Sequence, residues 1–247
     1  MKLKYAIVAP TLEYSSAGIV GLHLLTVHLK QLGFGSRVIV PTTGYHSPPA
    51  DDEIVVYPDC YSGNMFNHDK VVRYLMMFAG YFGQDKDFPE DEYMYYYSPE
   101  FCLNNRNPEN VLTIPMLNED KFKFYDGERY GTCYLAIKYQ DYFGLQPRIL
   151  DFNLPFDCIR IDKVMDLGIL FSKVKRMFTF DNSLINLEAA MAGVDVVYCY
   201  NEKFEKRFEY GTYFDYSDVR GSYAKMKNIY QCKQLPDFIN RTQYRFK

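Results

Sequence analysis

The sequence predicts an α/β protein made of two Rossmann-like lobes, each built on a parallel sheet, with a cleft between them. Three observations carry this. Short apolar strands alternate with stretches of helical spacing, and the alternation begins twice. A charged stretch without clean period, Leu117 to Tyr130, separates the two beginnings and reads as a hinge. The 247 residues suit two lobes near the lower end of domain size, expected at 1–118 and 119–247, the second ending in a tail that returns toward the first.

In the first lobe, Lys4 to Pro10 is expected as a buried strand. The polar loop Thr11 to Gly18 leads into a helix from Ile19 to Leu32, whose Ile19, Leu22, Leu25, Leu29 and Leu32 share a face, and Gly33 and Gly35 end it. Arg37 to Val40 forms a second strand closed by Pro41, and Glu53 to Tyr57 a third closed by Pro58. Between His68 and Phe82, the residues Val71, Val72, Leu75, Met76, Phe78 and Ala79 predict a helix. Strands follow at Tyr93 to Tyr97 and Val111 to Pro115. The second lobe alternates again: strands at Cys133 to Lys138 and Arg148 to Phe152, a helix at Val164 to Val174, a strand at Arg176 to Phe180, a helix at Ser183 to Met191 and a strand at Asp195 to Tyr200. A last helix, Ser217 to Gln231, precedes a polar, aromatic tail from Leu235.

Composition narrows the function. The net charge is −3 with no run of like charge, which excludes the basic footprint of a nucleic-acid binder. Six cysteines, none two or three residues apart, predict packed, reduced thiols rather than a zinc site or disulfide framework. No apolar stretch is long enough to span a bilayer, and the N-terminus runs directly into a strand, so neither a signal peptide nor a transmembrane segment is expected. The expectation is a cytoplasmic protein for which transient contact with a membrane surface stays open. Aromatic residues make up 17% of the chain, with 24 Tyr, 19 Phe and no Trp; core filling and platforms for a flat ligand are both open readings.

The segment from Arg176 to Val197 is the richest in chemistry. A strand ends at Phe180, and Asp181, Asn182 and Ser183 turn into a helix that Gly193 stops. Helix N-terminal amides at the carboxyl edge of a parallel sheet receive phosphates, and a carboxylate there grips ribose hydroxyls. Glu188 lies on an Ala- and Leu-rich face, where an ionised carboxylate needs a partner. The plainer alternative makes Asp181 a cap and Glu188 a surface charge. In the first lobe, His23 is the candidate general base, near the Ser16 and Gly18 loop, against the alternative of a packed histidine. Asp85-Lys86-Asp87 is an Asp-x-Asp pair in a loop after a helix rather than at a strand end, so no metal is expected.

Asp181, Ser183, Glu188, Ala189, Gly193, Val196 and Val197 together resemble the donor-nucleotide segment of GT-B glycosyltransferases, in which the Glu binds the ribose of a sugar nucleotide. Retaining members usually carry two Glu one residue further apart than Asp181 and Glu188. The run Tyr57-Pro58-Asp59 to Gly80 is similar to the YPE-x(3)-GNP-L-x(4)-VVRW-L-L-N-x-PG region of glycosyltransferase-like proteins from bacterial O-antigen and capsule clusters. Gly63, Asn64, Val71, Val72, Arg73 and Gly80 coincide, and Met65 replaces the proline. Ala17-Gly18 and Leu22-His23 resemble the helix start of the same group. Where relatives carry a Gly-Lys-Gly turn toward the diphosphate, this chain has Ala136-Ile137-Lys138, so Lys138 is either a point charge on phosphate or structural. The resemblance implies a compact, metal-independent GT-B glycosyltransferase of polysaccharide biosynthesis. It would move a sugar from a nucleotide-sugar, a substrate rather than a cofactor, to a hydroxyl of a glycan or glycolipid. The implied catalytic residues are His23 and Asp181; Lys138, Asn182, Ser183 and Glu188 would bind the nucleotide-sugar, and Ser16, Gly18 and Arg73 would border the acceptor. Arg73, expected mid-helix, is otherwise a surface or interlobe ion-pair residue. The altered turn and shortened acid spacing keep a non-catalytic nucleotide- or carbohydrate-binding relative in play.

Overall fold

The structure, a computed structural model, describes residues 2–13, 16–41, 47–81, 84–137, 140, 154–155, 157–162, 165–181, 183–199 and 218–247. The chain divides into two compact units, Met1–Met116 with Lys225–Lys247, and Leu117–Ala224. Among the described residues no helix is long and apolar enough to cross a membrane.

In the first unit, β1 (Lys4–Val8), β2 (Ser36–Ile39), β3 (Glu53–Pro58), β4 (Val71–Leu75) and β5 (Tyr93–Tyr96) form one parallel sheet in the order β2-β1-β3-β4-β5. The register sets Val8 beside Ile39, Ile7 beside Val56, Tyr57 beside Arg73 and Leu75 beside Tyr96. Helix α1 (Ala17–Gln31) crosses from β1 to β2 and buries Leu22, Leu25 and Leu29. Its Gly21 is there for close approach, since a Cβ would stand 2.6 Å from the Met116 sulfur.

The stretch from His68 to Phe82, expected as a helix, is instead built around strand β4, buried at every position. A parallel strand covered on both faces is a continuous apolar run, so its period does not distinguish it from a buried helix, and paired β-branched Val71 and Val72 favour the strand. Val111 to Pro115, expected as a strand, makes one parallel bridge, Val111 to Tyr96.

One sheet face packs on helices. Tyr5 and Tyr95 meet Phe238 with ring centroids 5.7 and 4.8 Å apart, and the Tyr5 hydroxyl lies 2.9 Å from Thr242 Oγ1. These partners belong to the C-terminal segment, where α4 (Val219–Ile229) passes through a π turn at Tyr230–Gln234 into α5 (Leu235–Phe246). The tail expected from Leu235 is therefore helical. Pro236 cannot donate to the preceding turn and its ring crowds that turn's carbonyl; a widened turn accommodates this without ending the helix. The other face is covered by the β3–β4 connection, in which Tyr61 and Phe66 pack over Val55, Tyr57 and Val71.

The second unit holds β6 (Thr132–Leu135), β7 (Ile159–Arg160), β8 (Arg176–Thr179) and β9 (Asp195–Tyr198) in the parallel order β7-β6-β8-β9. Helices α2 (Leu167–Lys173) and α3 (Leu184–Met191) precede and follow β8. Gly193, at φ +90°, ends α3 in the left-handed conformation that glycine adopts freely. The two-residue β7 has no counterpart in the sequence reading, and the strand expected at 148–152 lies outside the described residues.

Tyrosine fills the core of the first unit: Tyr5, Tyr57, Tyr74, Tyr95, Tyr96 and Tyr230 are all buried. Tyr74 and Tyr96 donate to the carbonyls of Leu112 and Arg106, so their hydroxyls are not stranded. The six cysteines are free thiols.

Candidate functional site

Both sheets share a topological feature. The first strand of each unit sits inside its sheet, with the second strand on one side and the third on the other. In a strand order of this kind the connections from the first and third strands go to opposite sides, and the crevice at their carboxyl ends is where ligands of open α/β sheets bind.

In the second unit that crevice lies between the ends of β6 and β8. The chain past β8 is pinned: the Thr179 hydroxyl donates to the Asp181 carbonyl at 2.9 Å and accepts from the Asp181 amide, and Asn186 Nδ2 donates to the same carbonyl at 2.8 Å. Asp181 is buried. Ser183 is the N-cap of α3 and its hydroxyl accepts from the Ile185 amide at 3.4 Å. Asn186 is fully buried, and its Oδ1 has no hydrogen-bond partner among the described residues. Sequence reasoning passed over Asn186. Its signal was an amide side chain in the first turn of a helix otherwise apolar on that face.

Glu188 is half-buried on α3, and among the described residues its carboxylate accepts no hydrogen bond. Burial pushes the carboxyl up to about 7, against the pull of Lys121. That lysine also pairs with Asp166 at 3.4 Å, and Asp166 caps α2 through the amides of Gly168 and Ile169. The cation that acts on Glu188 is thus shared with a second carboxylate. Lys138 and Asn182 lie outside the described residues. Ala136 packs with Tyr134, Leu154, Cys158 and Phe180.

In the first unit the crevice lies between the ends of β1 and β3. His23 Nε2 donates to the Pro10 carbonyl at 3.1 Å, bracing the chain just past β1. Ser16 is the N-cap position of α1 but makes no side-chain cap bond, and no acid stands in the first turn. A Cβ on Gly18 would stand 3.9 Å from the Met76 sulfur.

Arg73, expected on a helix and at the surface or an acceptor-side loop, is in the middle of β4 and fully buried. Its guanidinium forms a bidentate pair with Glu92 at 2.8 and 2.9 Å. It also donates to the carbonyls of Pro58, Tyr61 and Gly63. The Tyr57 and Phe88 rings lie 5.0 and 4.7 Å from it. An arginine this saturated with protein acceptors organises the β3–β4 connection. The Asp85 carboxylate accepts from the Gly63 amide at 2.8 Å and secures the same connection. Among the described residues no three His, Cys, Asp or Glu side chains converge as a metal site requires.

A further acid at this edge escaped the sequence reading. Asp59 is the first residue past β3, 5% exposed, and its carboxylate accepts from the backbone amides of Met77, Asp59 itself and Met76, while Oδ2 has no hydrogen-bond partner among the described residues. Its signal was present as the acid after Tyr57-Pro58, quoted within the resemblance without a role.

The chain matches no family model, and no curated protein is similar to it.

Proposed function

We propose that the protein is a glycosyltransferase of the GT-B type. It would bind a nucleotide-sugar at the β6–β8 edge of the second unit and transfer the sugar to a hydroxyl of a glycan or glycolipid. One observation carries the reading: a half-buried Glu188 without a hydrogen-bond partner among the described residues, on the helix that starts at the crevice edge. The donor-segment resemblance supports it. In this reading the Glu188 carboxylate accepts from both ribose hydroxyls, and the diphosphate meets the start of α3 at Asn182 and Ser183 together with Lys138. His23 and Asp181 are the catalytic candidates, Ser16 and Gly18 border the acceptor, and the nucleotide-sugar is consumed as substrate. No nucleic acid takes part, and the place of action is the cytoplasm or its membrane surface.

A buried Ala136 favours a second reading, in which the unit binds nucleotide without turning it over. Its methyl group occupies core space where relatives leave a bare glycine for phosphate.

The test is calorimetric titration of UDP-, GDP-, dTDP- and CMP-sugars into the full chain and into Glu188→Ala and Glu188→Gln. Charge-assisted hydrogen bonds contribute about 1.5 to 3 kcal/mol, so Ala weakens the binding donor by about one to two orders of magnitude, with Gln intermediate. The ribose hydroxyls need the ionised carboxylate, so wild-type affinity rises as pH passes upward through about 7, and the Gln variant lacks that rise. Unchanged affinity in the folded Ala variant makes Glu188 a helix charge and removes the reading. Hydrolysis of the bound donor separates enzyme from binding module.

A further inference from the structure

Helix α1 is apolar on two opposite faces. Leu22, Leu25 and Leu29 turn inward, while Val20, Leu24 and Val27, spaced four and three residues apart, form a stripe on the far side. Val20 and Leu24 are half-buried. Val27 is 46% exposed, and Leu32, just past the helix end, 49%. A helix at a protein's surface ordinarily turns a polar face outward, and this stripe does not.

Beside α1, in the same unit, lie residues 225–247. His28 Nδ1 is 2.8 Å from the Tyr230 hydroxyl. The Leu3 amide donates to Gln243 Oε1 at 3.0 Å, and Gln243 Nε2 donates to the Leu3 carbonyl at 2.9 Å. Lys2 Nζ stands 4.6 Å from the Phe34 ring, past the end of α1, so the start of the chain joins the two into one helical layer. Within this layer α1 and residues 225–247 contain seven Lys and Arg and a single acid, Asp237, in a chain of net charge −3. The basic residues are dispersed along the sequence, and only the fold gathers them. Arg241 is paired with Glu109 at 2.9 Å, whereas Lys30, Lys225 and Lys233 are exposed. Tyr244, next to Gln243, is 89% exposed.

We propose that this helical layer is the face by which the protein lies on an anionic membrane surface, with Val27, Leu32 and Tyr244 entering the headgroup region and Lys30 and Lys233 meeting lipid phosphates. Apolar side chains and a tyrosine suit the boundary between headgroups and acyl chains. Lysines beside them keep their stems on apolar surface and their charges among the phosphates. Surface attachment takes two such signals, because one alone holds only marginally. A second copy docked through the same face would set lysine against lysine across a two-fold axis. A nucleic acid would satisfy the lysines through its phosphates and leave the apolar stripe unused. The docking face is independent of glycosyl transfer, since all of it belongs to the first unit.

The chain has no Trp, so Leu32→Trp places a single fluorophore on the face. With vesicles of equimolar phosphatidylcholine and phosphatidylglycerol its emission should move to shorter wavelength, and the full chain should sediment with them. Vesicles of phosphatidylcholine alone should do neither, and Ile169→Trp, on an exposed position of α2, should not shift. Lys30→Glu and Lys233→Glu should each weaken vesicle binding by about fivefold or more, and Val27→Gln should weaken it without a change of charge. Lys175→Glu, the same charge change at an exposed position of the second unit, should leave it nearly unaltered. Absence of binding to the anionic vesicles overturns the proposal, as does a loss in Lys175→Glu equal to that in Lys30→Glu, or no loss in Val27→Gln. Dimerisation abolished by Val27→Gln gives the face to a second copy, and duplex DNA binding with no vesicle-induced shift gives it to a nucleic acid; either overturns the membrane assignment. Donor titration without vesicles decides the glycosyl-transfer reading separately.

Discussion

The two units follow one strand plan and secure the edge of the sheet by different means. Each places its first strand between its second and third, and each carries an acid just beyond the third, Asp59 after β3 and Asp181 after β8. Past β8 the chain enters a helix at once, and local contacts hold the turn: Thr179 and Asn186 on the Asp181 carbonyl, Ser183 on the Ile185 amide. Past β3 it enters a connection without an α-helix, held by a buried Arg73–Glu92 pair that also ties down three backbone carbonyls. A helix start satisfies its own backbone groups with residues two to five positions away, whereas an irregular connection over a sheet must borrow partners from distant strands.

The sharpest way to break this comparison is Arg73→Ala. Glu92 would be left buried without its partner and the three carbonyls would lose a donor, so the first unit should lose about 3 to 5 kcal/mol. Hydrogen exchange in peptides of β3, β4 and β5 reads this loss separately from the second unit, whose β8 and β9 peptides should keep their protection. Replacing both partners with apolar residues, Arg73→Met with Glu92→Leu, should cost clearly less than removing one.

The acid of the first unit sharpens the comparison through pH. Its folded-state pKa is raised, so its contribution to stability is fully present below about pH 4 and is lost as pH rises through about 7. After correction for intrinsic exchange rates, protection in β3 and β4 should fall across that window by a few kcal/mol at most, and Asp59→Asn should flatten the slope. The smallest effects compare the two capping serines. Ser183→Ala removes a cap bond and should cost about 1 kcal/mol. Ser16→Ala removes none and should stay within about 0.5 kcal/mol, both read by urea denaturation. Equal costs would mean that the α1 hydroxyl engages its helix after all.

Legibility followed the range of the forces involved. The β8–α3–β9 passage was readable because a strand end, an N-cap serine, an apolar helical face and a stop glycine are all local signals, and the structure has helix Leu184–Met191 between strands Arg176–Thr179 and Asp195–Tyr198. β1, α1, β2 and β3 were readable for the same reason. At β4 the local signal misled, because one arginine in an apolar run imitates the polar face of a helix until its buried partner Glu92 is known. The segment from Leu235 read only as a polar, aromatic tail, and the packing of Phe238, Ile239 and Thr242 inside the first unit is what favours a helix there.

Of the site residues, Ser183 and Glu188 stand out in sequence because caps and helix faces are short-range features. Asp59 and Asn186 do not, since each is marked by an oxygen that finds no partner, and the presence or absence of a partner is settled by segments far apart in the chain. Periodicity, capping and turn chemistry were enough to specify two parallel α/β sheets. Which charges are buried, which strand takes a fully covered position and which polar atoms remain unsatisfied depended on tertiary contacts, because desolvation is priced by whatever the rest of the fold brings alongside.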